Sequence, residues 1–195
     1  MQTIDTSYFY GELVLSGVQG TAGAAALQLI IDSREDELLI KLFGYPLYKA
    51  YKAAVALEVI ADPAHLPTPI VGVALETRFA DLRDGKEYTN GSGVLAKWPG
   101  LRFTVGTSKK SLIANYVYWH YIRDNHTFTT ASGEKKSPLA VNVLPESKLV
   151  RAWNEMVNWN MQLYDFLNKE LATYPEYENV IVRCDVYTKQ NTLNL

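Results

Sequence analysis

The segment Leu112–Ile122, LIANYVYWHYI, sets apolar or aromatic side chains nearly all the way round a helical barrel: Leu112, Ile113, Tyr116, Val117, Trp119, His120, Tyr121 and Ile122. A helix with one apolar stripe covers a core from one side. A helix apolar on every face must itself be surrounded, at the centre of a helical bundle or between subunits. The stretch SKKSLIANYVYWHYIRDN, with Thr107 or Ser108 as its cap, is therefore expected to be a buried central helix or one shared with a neighbouring subunit.

The neighbours it needs are visible on both sides. In AAALQLIIDSREDELLIKLFG, the 3–4 spacing of Leu27, Ile31, Arg34, Leu38 and Leu42 predicts a helix with Glu35, Asp36 and Lys41 mostly off its apolar face. Asp32 or Ser33 could instead cap a second helix, so one long helix and two short ones are both open. Gly44 suits the left-handed residue after a helix, and Pro46 suits the first turn of the next. That next helix, PLYKAYKAAVALEVI, aligns Leu47, Tyr51, Ala54, Val55 and Val59 and should pack back on the first. Ile70–Leu82 predicts a third helix closing at Asp84-Gly85. From about Glu146 to Thr173, Leu149, Trp153, Met156, Val157, Asn160, Tyr164, Leu167 and Leu171 keep the same period, until Tyr174-Pro175 ends it.

Between the helices the pattern changes. GKEYTNGSGVLAKWPGLRFTVG, residues 85–106, is rich in turn signals, with Asn90-Gly91 the strongest, and reads as a β-hairpin arm. Thr127–Val143 reads as a second hairpin or extended loop, and the alternation in Val180–Tyr187 as a strand before a polar tail. The expected fold class is mainly α with β-hairpin arms: a bundle of about five helices plus a C-terminal strand, in a single domain over residues 1–195. Its helical core is about 24–84, 107–125 and 146–174, its arms about 85–106 and 127–143, and its strand and tail 179–195.

Composition removes several function classes. Apolar residues make up 48% of the 195, so the chain can build a core rather than remain disordered. The lone cysteine, Cys184, excludes an internal disulfide framework and a multi-cysteine metal site. No apolar run approaches a membrane span, and the N-terminus lacks the basic-then-apolar order of a signal peptide, so a soluble, cytosol-like protein is expected. Charge is nearly balanced, with 19 Lys and Arg against 21 Asp and Glu, but it is unevenly placed. Residues 78–151 carry twelve bases and six acids, residues 1–60 seven acids and four bases, and residues 152–195 six acids and three bases. A basic middle between acidic ends can meet phosphates, or the acidic end of another copy.

Catalytic patterns are weak. His65, His120 and His126 are scattered and never take metal-ligand spacing. The Asn90–Gly93 cluster lacks the Lys-Ser/Thr of a phosphate-binding loop. Cys184 in an alternating segment reads as a small hydrophobe. The consecutive acids Glu35, Asp36 and Glu37 point to different helix faces and read as solvated. No catalytic residue, metal or cofactor is expected. Two alternatives remain: a carboxylate hydrolase using acids such as Asp124, Glu134 and Asp185, and a nucleic-acid-binding module using Lys109, Lys110, Arg123, Lys135 and Lys136.

The order of the pieces is itself distinctive. A helix ends in LFGYPLYKAY, LRDGKEYTNGSG follows, a Trp98-Pro99-Gly100-Leu101 step leads into SLIANYVYWHYIRDN, and TFTTASGEKK precedes a long helix ending near FLNKELATYPEY. Over roughly residues 25–178 this resembles the small head–tail connector (adaptor or ring) proteins of tailed bacteriophages, especially crAss-like phages and related prophages. The shared features are helix stops and turns rather than catalytic letters, and Arg102–Thr107 are extra relative to the family's spacing. The resemblance implies a structural virion protein at the head–tail junction, assembled in the host cytoplasm as a ring of about a dozen copies beneath the portal. Its implied partners are further copies, the portal and other tail or ring proteins. DNA would pass through the channel without specific binding, and no membrane is involved. The expected interface residues are Lys109, Lys110, Lys135, Lys136, Trp98, Tyr88 and Arg102.

Overall fold

Gly44 sets the geometry of the first two helices. A computed structural model describes residues 3–15, 21–60, 75–106, 108–130, 133–136, 146–178 and 185–191, and in it α1 (Thr21–Phe43) and α2 (Tyr45–Ile60) are joined by this one residue. Its φ of +74° is the left-handed conformation expected there, its N–H closes α1 on the Ile40 carbonyl (3.1 Å), and its own carbonyl accepts from Tyr48. A Cβ at this point would also lie 2.8 Å from Glu178 Cβ. Of the two readings of the first segment, the continuous helix holds: α1 runs unbroken through Asp32 and Ser33. Phe43 meets Tyr51 edge to face at 5.8 Å, where α2 folds back on α1.

The described residues contain five α-helices, three short 3-10 helices and three two-stranded antiparallel hairpins, so the fold is mainly α with β-hairpin arms. Helix α3 spans Thr77–Asp84; Leu75 and Glu76 precede it unwound, and the rest of its expected start lies outside the described residues. The arm expected over 85–106 divides in two. Strands β1 (Lys86–Thr89) and β2 (Leu95–Trp98) form the first hairpin. Its turn is not centred on Asn90-Gly91. Asn90 opens a longer loop, its side-chain Oδ1 accepting from Ser92 and Val94, and the left-handed residue is Gly93 at φ +76°.

The second hairpin joins β3 (Arg102–Val105) to β4 (Ser108–Ser111), which was expected as the start of the aromatic helix. Pairing with β3 takes the first turn away from that helix. Helix α4 therefore spans Leu112–His126, and its cap is Ser111 rather than Thr107 or Ser108. The Ser111 hydroxyl accepts from Ile113 N–H (3.1 Å) and donates to the Leu101 carbonyl (2.7 Å), fixing helix and hairpin together. Strands β5 (Thr127–Thr130) and β6 (Gly133–Lys136) follow α4 directly, as the hairpin form of the second arm.

Helix α5 spans Glu146–Lys169 and ends a turn earlier than its period suggests. The chain tightens through Glu170–Thr173 and brings Tyr174 back onto Phe166 (5.8 Å), with the Tyr174 hydroxyl donating to the Arg78 carbonyl (2.6 Å). Leu171, expected on the apolar stripe, is consequently exposed. Of the expected C-terminal strand, Val180–Cys184 lie outside the described residues, and its last three residues, Asp185–Tyr187, form a 3-10 turn instead. Four side-chain bonds hold this segment on α5: Trp153 donates to the Thr188 carbonyl, Asn160 donates to the Val186 carbonyl, and Asn154 donates to the Gln190 carbonyl while accepting from the Gln190 N–H.

The expected central helix is central. Every residue from Leu112 to Trp119 is buried, between α1 on one side and α5 on the other. Helix α4 runs antiparallel to α1, since Arg34 meets Asp124 and Lys41 meets Tyr116. Trp153 of α5 packs on Tyr116 and Trp119. The first hairpin seals the far end of α5 through Tyr88 and Trp98, both against Phe166. Among the described residues no helix is long and apolar enough to cross a membrane.

Candidate interaction surfaces

The seven residues expected at an interface do not form one surface. Trp98 is fully buried, stacked on Phe166 at 6.1 Å and donating its indole N–H to the Leu82 carbonyl (2.9 Å). Tyr88 is buried beside it, so both belong to the core that anchors the first hairpin. Lys109 and Lys110 are exposed on β4 but face the chain's own N-terminal segment. Lys109 Nζ donates to Ser7 Oγ (2.6 Å) over the Tyr8 ring, and Lys110 lies 3.6 Å from the Glu12 carboxylate. Arg102 on β3 donates to Asp84 Oδ1 (2.6 Å). Burial pushes the Asp84 carboxyl up, but hydrogen bonds from Arg83 and Arg102 outweigh it and hold it below the usual range. Lys135 and Lys136 stand on β6, opposite Phe128 and Thr127, beyond the other end of α4.

Of the acids offered for catalysis, Glu134 stands on β6 opposite Thr129, and the other two border one seam. Asp124 binds Arg34 (2.9 Å), and Asp185 lies 3.7 Å from Lys41. Both flank a polar seam between α1 and α4. At its centre Glu37 accepts from Arg34 (2.8 Å) and from the Tyr116 hydroxyl (2.8 Å), with Lys41 at 3.0 Å. Burial raises the Glu37 carboxyl, and these three donors overcome it and hold it at about 2. Burial and the Glu37 bond push the Tyr116 phenol up to about 12. His120, packed on Tyr116 (4.4 Å) and Trp119 (4.8 Å), is lowered to about 4, first by burial and then by Arg34. The seam is a set of matched charges joining two helices. Among the described residues no three His, Cys, Asp or Glu side chains gather where a metal could sit.

One polar centre has no counterpart in the sequence reading. Glu35, expected in solvent, is 0% exposed. Its carboxylate accepts from the Thr3 backbone N–H at both oxygens (2.9 and 3.0 Å) and from the Thr3 hydroxyl (2.9 Å), with Lys52 Nζ at 3.9 Å. Thr3 Oγ1 also meets the Tyr51 hydroxyl (3.0 Å). Burial raises the Glu35 carboxyl against these bonds. The clamp fastens an N-terminal segment whose Ile4, Tyr8, Phe9 and Leu15 are buried on the bundle. The signal was present: position 35 lies four residues after Ile31 and three before Leu38, inside the apolar stripe.

Among the described residues the two most exposed large apolar side chains are Leu29 and Leu95. At the β1–β2 tip, Val94 is 59% and Leu95 70% exposed. On α1, Leu29 is 71% exposed beside a shallow groove that also contains Ile30, Ser33, Arg34, Tyr121 and Asp124. At the same end of α4, Arg123 lies over the Trp119 ring (4.3 Å) and Lys148 of α5 over Tyr118 (5.8 Å), and Arg151 is exposed on α5. These three cations have no acidic partner among the described residues. Lys109 and Lys110, at the opposite end of α4, do not join them. No family model, curated protein or solved structure matches the chain.

Proposed function

We propose that the protein is a non-enzymatic structural component of a tailed-phage virion, forming a ring of the head–tail connector beneath the portal. The ring extends the DNA channel and docks the next tail component. The observation that carries the reading is the architecture: a helical bundle bearing three separate two-stranded hairpins, one of which ends in exposed Val94 and Leu95. A two-stranded ribbon leaves the outer edge of each strand free to pair, and an exposed apolar tip is unfavourable in water unless a partner covers it. The order of helix stops and turns over roughly residues 25–178 adds the resemblance to connector proteins. A near-neutral chain suits a channel through which DNA slides, since tight phosphate binding requires a net basic surface.

The test is particle mass and shape, by light scattering and negative-stain microscopy, of the purified protein alone and with candidate portal proteins. The expected result is a monomer or weakly associating species that becomes a ring on the portal. A monomer that ignores every portal tested removes the reading.

A further inference from the structure

We propose that the cleft where β4, α4 and α5 meet the N-terminal segment binds a terminal primary amide, the side-chain end of an Asn or Gln presented by a partner protein. This role is separate from the connector reading above and independent of it. The floor of the cleft is Asn115, on the first turn of α4 and 4% exposed. Asn115 is one of six buried polar or charged side chains among the described residues. The other five have partners: Thr3 binds Glu35, Arg83 binds Asp84, Ser111 caps α4, and Asn160 donates to the Val186 carbonyl. The Asn115 side chain makes no hydrogen bond to any described residue. A buried amide left unpaired is unfavourable, so one that opens on a cleft points to a ligand. The Trp159 indole N–H, in the wall of the same cleft, also lacks an acceptor but is sealed from solvent, and the Asn115 amide is not.

Size and charge select the ligand. The recess measures about 30 Å³, close to one water's share of liquid volume. It takes the end of one side chain, and a whole sugar or nucleotide is too large. A peptide-bond amide carries a Cα on each side and does not enter end-on. Lys109 and Lys110 line the cleft together with Glu12 and Glu155, so two cations face two carboxylates. Lys110 lies 3.6 Å from Glu12, and Lys109 is held by the Ser7 hydroxyl. An entering anion meets the two carboxylates, and an entering cation meets the two ammonium groups. A neutral group with a donor and an acceptor side by side meets neither penalty. A primary amide is such a group, and it is the complement of Asn115: the NH2 of each donates to the carbonyl of the other. Tyr8, Tyr10 and Trp159 add aromatic walls against which a flat group lies. Two neutral hydrogen bonds are weak alone, so the rest of the partner supplies most of the affinity.

The experiment is a heteronuclear NMR titration of the purified full chain, following its four tryptophan indole N–H signals, with Trp159→Phe identifying the signal of Trp159. The probes are acetamide, N-methylacetamide, acetate and methylammonium. The expected result is a saturable shift of the Trp159 signal with acetamide, the other three indoles staying in place. Its Kd should be at least about tenfold lower than that of any other probe, which is roughly what one neutral hydrogen bond is worth. Asn115→Leu, similar in shape but without the polar atoms, breaks no side-chain hydrogen bond. It should keep the denaturant midpoint at or above wild type and lose the acetamide response. N-methylacetamide binding as tightly as acetamide means that the site reads a peptide bond, and acetate binding more tightly means an anion site. No saturable shift with any probe means that the recess holds water only. Each of these three results overturns the proposal, and the wild-type probe series decides between them whether or not Asn115→Leu folds.

Discussion

Glu35 shows how much can depend on one side chain. Its carboxylate is the acceptor for both polar groups of Thr3, so the pair fastens the N-terminal segment to α1 and α2. Thr3→Val keeps the shape but removes the hydroxyl donor, leaving a buried carboxylate with one bond fewer. The expected loss is about 1.5–3 kcal/mol in urea unfolding. His120 gives the pH dependence. Its folded value of about 4 is below the ordinary 6.5, so the unfolded chain binds the extra proton. Its contribution is complete above about 6.5 and is lost as pH falls from there towards about 4. The ring is only half-buried, so the discounted size is roughly 1–2 kcal/mol. Unfolding midpoints of His120→Gln should lack this slope between pH 7 and 4, and an unchanged slope removes the assignment. Glu37, held near 2 against an ordinary 4.5, then adds a second loss as pH falls below about 4.5.

At the scale of elements, the crossing of Gly85 and Gly100 is what docks the first hairpin. Both have left-handed φ, +99° and +97°, and each lies where a Cβ would meet the other segment's backbone. At Gly100 the clash is with the Arg83 carbonyl at 2.6 Å, and at Gly85 with the Trp98 carbonyl at 2.6 Å. This close approach lets Leu101 N–H and the Trp98 indole both reach the Leu82 carbonyl at the end of α3. Gly100→Ala should cost about 2–4 kcal/mol, from conformational strain plus displaced backbone. Gly93→Ala has a left-handed φ but open space, and should cost only about 1 kcal/mol. Denaturant midpoints of the two variants separate the contributions, and equal losses would mean that the crossing itself adds nothing. The sequence marked these glycines as turns, but a turn signal does not say which strand lies across it. The same limit misplaced the start of α4. Thr107, Ser108 and Ser111 are all suitable caps, and only pairing of β4 with β3 decides for Ser111.

At the scale of the whole molecule, the basic middle of the sequence is not one patch. Folding sends Lys109 and Lys110 to one end of α4 and Arg123 to the other, near Lys148 and Arg151. Lys135 and Lys136 stand on the hairpin that continues from that second end. Their replacement by Glu should weaken ring or portal docking while leaving the fold, read by thermal unfolding, intact. A double variant that assembles normally at low and high salt removes charge pairing through this arm.

By itself, the amino-acid order determined the helices, because a 3–4 apolar period is a local property that any folded arrangement must respect. It determined the buried centre at Leu112–Trp119, the break at Gly44, and the presence of hairpins between helices. Tertiary structure decided where those elements end and what their polar groups meet. Helix α5 stops at Lys169 because Tyr174 has Phe166 to pack on. Glu35 is inside because a segment 32 residues away supplies its donors. Trp98 and Tyr88, which look from their neighbours like an exposed arm, are core because the arm folds onto α5. In each case the deciding partner is remote in sequence, and its energy exists only once the chain has closed upon it.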